Sequence, residues 1–217
     1  MLRIRACAGK DTVKRVKKSD KFFKEFYDKL KEELSFITLK TSAKIKLGRN
    51  EYTADRELPV PIRIDSLVED IHNQDEYDGI AISNIIDGII YVLGTEKEFE
   101  FKQEYLKILN DLKIDMVPYA IHCINQFDGK KTNDSVVYGK SIVNICENEK
   151  TSFVYASTLE RKSSECTDNG LFDTAKYFTN EAVKYLEKSL SNSFEYILFF
   201  IQLSFPKESS SFSENSL

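Results

Sequence analysis

The stretch from Gly170 to Ala182 constrains the fold of this chain more than any other part of it. It sets a glycine, an aromatic (Phe172) and two alanines (Ala175 and Ala182) at the spacing by which one helical hairpin packs on the next. Gly170 suits the left-handed residue that ends a helix. The two alanines, seven residues apart, fall on one helical face and let a neighbour approach closely. Such a unit belongs to a scaffold. Only eight glycines and four prolines in 217 residues argue the same way, against a β fold rich in tight turns.

Apolar periodicity supports an all-α class along most of the chain. Phe22, Phe23, Phe26, Tyr27, Leu30 and Leu34 make a wide stripe on one helix. Phe36–Leu47 alternates apolar and polar, and both an edge strand and a helix stay open there. Leu58-Pro59-Val60-Pro61 reads as an extended connector, since each proline removes a donor and keeps its predecessor out of the α region. Ser66 and Glu69 have the form of a capping box. Ser83–Leu93 is the most apolar helix, with Gly94 at its C′ position and a second capping box, Thr95 and Glu98, opening Phe99–Leu112. Helices then follow near Val117–Phe127, Ser135–Ile145, Ser152–Cys166, Asp173–Leu190 and Phe194–Leu203. Divided by composition, the chain reads as a basic helical segment (1–57), a helical region (58–114), helical hairpins (115–205) and a Ser-rich disordered tail (206–217).

Residues 156–189 resemble one tetratricopeptide repeat, a helix–turn–helix unit of that length. Gly170 stands at the family's turn glycine, Phe172 at its aromatic, and Ala175 and Ala182 at the small residues of its second helix. Lys162, Ser163, Cys166, Thr179 and Glu187 depart from the pattern. Val117–Ile145 has the size of another hairpin, with Gly129 in its turn, and 58–112 resembles the helical leader some repeat proteins carry. The resemblance implies a short superhelix supported by the N-terminal helices; an irregular helical bundle is the alternative. It also implies a non-enzymatic scaffold that binds a protein or peptide in a groove lined by Asn125, Tyr155, Thr158 and Lys162.

Charge is unevenly spread. Residues 1–49 hold fifteen Lys/Arg against six Asp/Glu, whereas residues 50–112 hold five against fifteen. A second reading follows, nucleic-acid contact through Lys14, Arg15, Lys17, Lys18, Lys44, Lys46 and Arg49. The aromatics interleaved with the first of these keep helical spacing, which favours core over base stacking.

The chemistry-bearing residues are few. His72 lies in a polar loop near Asp70 and Asp75, a weak ligand set. His122 neighbours Cys123, but adjacent side chains on a helix diverge. No phosphate-binding glycine loop, nucleophile elbow or zinc-protease motif occurs. The expectation is no cofactor, no metal and no enzyme. Cys7, Cys123, Cys146 and Cys166 form no C-x-x-C pair and read as reduced thiols of a cytoplasmic protein. No apolar run is long enough for a membrane span.

Overall fold

A computed structural model describes residues 9–72, 80–127 and 129–190. Helix α1 (Gly9–Lys31) leads into four short strands, β1 (Leu34–Leu39), β2 (Lys44–Leu47), β3 (Asn50–Thr53) and β4 (Leu58–Arg63). Seven helices follow: α2 (Ile64–His72), α3 (Ile82–Thr95), α4 (Lys102–Asp111), α5 (Met116–Gln126), α6 (Thr132–Ile145), α7 (Glu149–Asp168) and α8 (Phe172–Leu190). The described fold is therefore mostly helical, with two small two-stranded sheets.

The strands are the main departure from the sequence reading. Of the two readings left open for Phe36–Leu47, strand is the one observed, as parts of β1 and β2 with a turn at 40–43 between them, whereas Leu58–Pro61 is no connector: β4 pairs antiparallel with β1, from Leu34 opposite Arg63 to Leu39 opposite Leu58. The boundary drawn at residue 58 thus cuts through a hydrogen-bonded ribbon. The prolines are tolerated because Pro59 and Pro61 are two residues apart. Their missing N–H groups point to the same edge of the strand, away from the ladder. On that edge the Pro59 carbonyl accepts a hydrogen bond from the Tyr105 hydroxyl (2.5 Å). Leu58, Val60 and Ile62 of β4 are almost wholly buried. The second ribbon pairs β2 with β3 around Gly48, whose φ of 60° is easiest for glycine.

Helix α3 is the centre of the core. Ile85, Ile86, Ile89, Ile90 and Leu93 are buried as their spacing predicts, and Tyr91 and Val92 are buried as well. A helix buried on all sides needs neighbours all round, and β4, α6 and α1 supply them. Two glycines set how close these come. A Cβ on Gly88 would lie 2.0 Å from the Pro61 carbonyl oxygen, and one on Gly94 would lie 2.2 Å from that of Val137. Gly94 is therefore an interior contact residue and not the expected left-handed stop. The Thr95–Glu98 and Ser66–Glu69 boxes are likewise not used, since α4 starts at Lys102 and Ser66 lies inside α2.

From α5 onward, consecutive helices pack each on the next. Their limits agree with the apolar periodicity. Asp115 caps α5, and Asn148 with Thr151 forms a reciprocal capping box on α7. The α7–α8 turn closes as the glycine predicts: Gly170 has φ 72°, and the Leu171 N–H reaches back to the Cys166 carbonyl (2.8 Å). Ala175 and Ala182 are buried between the two helices, where the Ser163 hydroxyl meets the Ala175 carbonyl (3.0 Å) and the Thr179 hydroxyl (2.7 Å).

Phe172 is the exception. It is 69% exposed and fills no groove; Phe178, 1% exposed, does that work. Phe178 meets Phe22, Phe23 and Phe26 of α1 edge to face, and Phe22 stacks on Tyr177 (4.5 Å). The aromatic stripe of the basic N-terminal segment is thus core, and the segment shares that core with the C-terminal hairpins. The expected Phe194–Leu203 helix and the tail after Pro206 lie outside the described residues.

Candidate functional site

Among the described residues, a polar cleft of about 320 Å³ opens where the start of α6 meets the end of β4 and the side of α7. Arg63 is its organising residue. The apolar run of β4 ends there, so the backbone that buries Ile62 carries the next side chain to the edge of the core. Its guanidinium pairs with Asp134 of α6 (2.8 Å), Glu33 (3.3 Å) and Asp65 (3.3 Å). It also lies over the Tyr91 ring (4.8 Å), whose hydroxyl donates to Glu33 (3.0 Å). Burial opposes the charge on Arg63, but the hydrogen bond and charge of Asp134 and the charge of Asp65 outweigh it, holding the group above its ordinary range. Burial, with the nearby Asp134 and Glu33 charges, pushes the Tyr91 phenol up, so it stays a donor.

The opposite wall comes from α6 and α7. Lys162 bonds Glu165 (2.9 Å) and the Thr132 hydroxyl (3.2 Å), and Thr132 also donates to Glu165. Burial raises the Glu165 carboxyl, yet the bonds from Lys162 and Thr132 bring it below its usual value. Lys130 and Lys131 complete the rim. The cleft therefore holds four cationic and four carboxylate side chains. One buried polar atom of its lining residues, Asn133 Oδ1, has no hydrogen-bond partner, and Arg63 Nε has only the Asp65 carboxylate 3.3 Å away. An unsatisfied donor or acceptor costs roughly 1–3 kcal/mol.

Two other polar clusters lie in the core. Tyr119 donates to Asp87 (2.7 Å), whose carboxyl burial pushes up. Cys123 beside them is pushed up by burial and by Asp87, the reverse of an activated thiolate. Lys140 of α6 donates to the Tyr185 hydroxyl (3.0 Å) and sits over the Tyr155 and Tyr185 rings (5.0 and 5.1 Å). Burial lowers its pKa to about 8.

Neither a family model, a curated protein nor a solved structure matches this chain.

The expected groove is not assembled. Tyr155 and Thr158 are each 1% exposed. The Tyr155 hydroxyl meets that of Tyr27 (2.7 Å), and Thr158 packs where Gly139 of α6 crosses α7. Asn125 is exposed on α5 but does not line the cleft, and only Lys162 of the four does. Among the basic residues, Lys44 and Lys46 both pair with Glu51 (2.7 and 3.2 Å), whose carboxyl those bonds hold down. Arg49 and Lys18 are exposed on different elements, while the side chains of Lys14, Arg15 and Lys17, and of His72, lie outside the described residues. His122 is exposed. No cluster of metal-ligating residues occurs among the described residues, and no helix there is long and apolar enough to cross a membrane.

Arg63, Thr132, Asp134 and Glu165 were missed by the sequence reading. Each is an ordinary residue of its own element, and no local pattern links a strand end to two helices. The one available signal was Arg63, a lone charge closing the apolar run Leu58–Ile62.

Proposed function

We propose that this chain is a non-enzymatic binding scaffold, with α5–α8 stacked as tetratricopeptide-like hairpins and the Arg63 cleft holding a segment of another protein. The observation that carries the reading is a cleft lined by four cationic and four carboxylate side chains. A polypeptide offers the complementary set, side chains of either sign on a backbone of carbonyl and N–H groups. Further support is that cleft cations and carboxylates are largely engaged with one another, an arrangement for recognition rather than for proton transfer. The three described cysteines are free, which suits a cytoplasmic setting. Nucleic-acid contact has weaker support, because Glu51 neutralises two of the seven basic residues assigned to it.

The test places a photo-crosslinking side chain at Lys131, inside the cleft, and at Lys176, on the exposed flank of α8, and compares what each captures in the native cell. The reading expects a discrete protein adduct from the Lys131 position and not from Lys176. Equal capture at both, or a nuclease-sensitive adduct at Lys131, contradicts it.

A further inference from the structure

One flank of α8 carries an apolar seam that the rest of the described fold leaves open. Val183 and Leu190 are 46% and 44% exposed, with half-buried Leu186 between them. These three recur at i, i+3 and i+7, one stripe of a helix. The stripe is distinct from the buried one, Ala182, Tyr185 and Ser189, whose members each precede a seam residue and so lie about 100° round the axis. Continued toward the start of α8, the seam reaches Thr179 and Lys176 and turns polar. Its apolar part is thus confined to the last two turns, beside the point where the chain leaves the helix.

The sequence that follows has matching chemistry. Ser191-Asn192-Ser193 leads to Phe194-Glu195-Tyr196-Ile197-Leu198-Phe199-Phe200-Ile201-Gln202-Leu203, apolar or aromatic at every position but Glu195 and Gln202. These residues lie outside the described part of the structure. We propose that the segment 194–203 docks antiparallel on this flank of α8, so that the seam is the binding site for the chain's own continuation.

Reach decides for this occupant. Ten helical residues span about 15 Å, so a segment turning back after Leu190 extends to about residue 181. It passes Leu190, Leu186 and Val183 and stops short of Thr179 and Lys176, which is where the seam ceases to be apolar. A link of three residues, Ser191–Ser193, lies within the range that joins antiparallel helices, about 2–5 residues. Attached by so short a link, the segment has an effective concentration on the order of millimolar, well above that of a free competitor.

The experiment is oxidative crosslinking of the full chain carrying Val183→Cys and Ile201→Cys, with each single variant, native thiols retained, as control. The expected result is a crosslink within one chain, seen only in the double variant, with a yield independent of protein concentration. A crosslink that forms only between chains and rises with concentration makes a second copy the occupant and overturns the proposal. Absence of any crosslink specific to the double variant also overturns it, provided the unmodified chain agrees. There, hydrogen exchange reads the same claim without substitution: amides of 194–203 are expected to exchange at least tenfold slower than an unstructured chain, and unprotected exchange defeats the idea.

Discussion

Arg63 and Lys140 are both cations withdrawn from water, and the fold treats them in opposite ways. Arg63 is met by three carboxylates and a tyrosine face, and its charge is held above the ordinary range. Lys140, only two turns from Asp134 on the same helix, is met by two tyrosine rings and a phenol, and its pKa falls to about 8. The difference is between a site organised around permanent charge and a core position that accommodates one. Planar guanidinium suits the first, since it bonds several acceptors at once, and an ammonium that can shed its proton suits the second. On the function proposed above, the cleft is the part of the molecule that meets a partner, and the Lys140 cage belongs to the packing between α6, α7 and α8.

The largest expected effect comes from breaking the Arg63 hub. Arg63→Met leaves buried Asp134 without its cation and is expected to cost about 3–5 kcal/mol in urea unfolding. Adding Asp134→Leu to it is expected to recover most of that loss. If Arg63→Met alone costs no more than an exposed pair, below about 1 kcal/mol, the hub is not a buried network.

Next in size is the hydroxyl pair behind the cage. Tyr27→Phe removes the partner of the fully buried Tyr155 hydroxyl and is expected to cost about 1–3 kcal/mol, read from the same unfolding curves.

Lys140→Met is expected to act in the other direction, raising stability at pH 7 by about 1–2 kcal/mol once the attraction of the two rings is discounted. The sign follows from linkage. Below pH 8 both states hold the proton and the folded state bears the full cost of the buried charge. Between the folded pKa of about 8 and the ordinary value of 10.5, the unfolded chain binds more protons, so the native protein gains stability as pH rises. The advantage of Lys140→Met should thus shrink across that window; an advantage independent of pH would show that the amine does not titrate there.

The smallest effect is Tyr91→Phe, about 1 kcal/mol, because Glu33 keeps Arg63 as a partner when the phenol is gone.

How legible these parts were in the sequence depends on how local their causes are. α3 and α5–α8 could be read because a 3.6-residue apolar period is a property of each segment alone. The β1–β4 ribbon was hidden by Pro59 and Pro61, whose cost depends on which strand edge they face, and that is settled only by a partner twenty residues away. Tyr155, Thr158 and Lys162 fall on one face of α7 by spacing, but at Tyr155 and Thr158 that face turns toward Gly139 of α6, a contact no local pattern announces. Phe172 was misread for a similar reason, since Phe178, six residues on, meets the aromatic stripe of α1. Of the cleft, only Lys162 was named from the sequence: the site is assembled with Glu33, Arg63, Asp134 and Glu165, which only the fold brings together.

The central claim is that the Arg63 cleft, and not the basic N-terminal segment, is where a partner binds. Its most direct test exchanges the charges of one wall, Lys162→Glu with Glu165→Lys, which preserves the ion pair while reversing the pattern a ligand would meet. Binding of the protein captured at Lys131 is then measured for this variant and for Lys44→Glu with Lys46→Glu. The account predicts at least a tenfold loss of affinity, about 1.4 kcal/mol, for the cleft variant and little change for the strand variant. Unchanged binding in the first and loss in the second would contradict it.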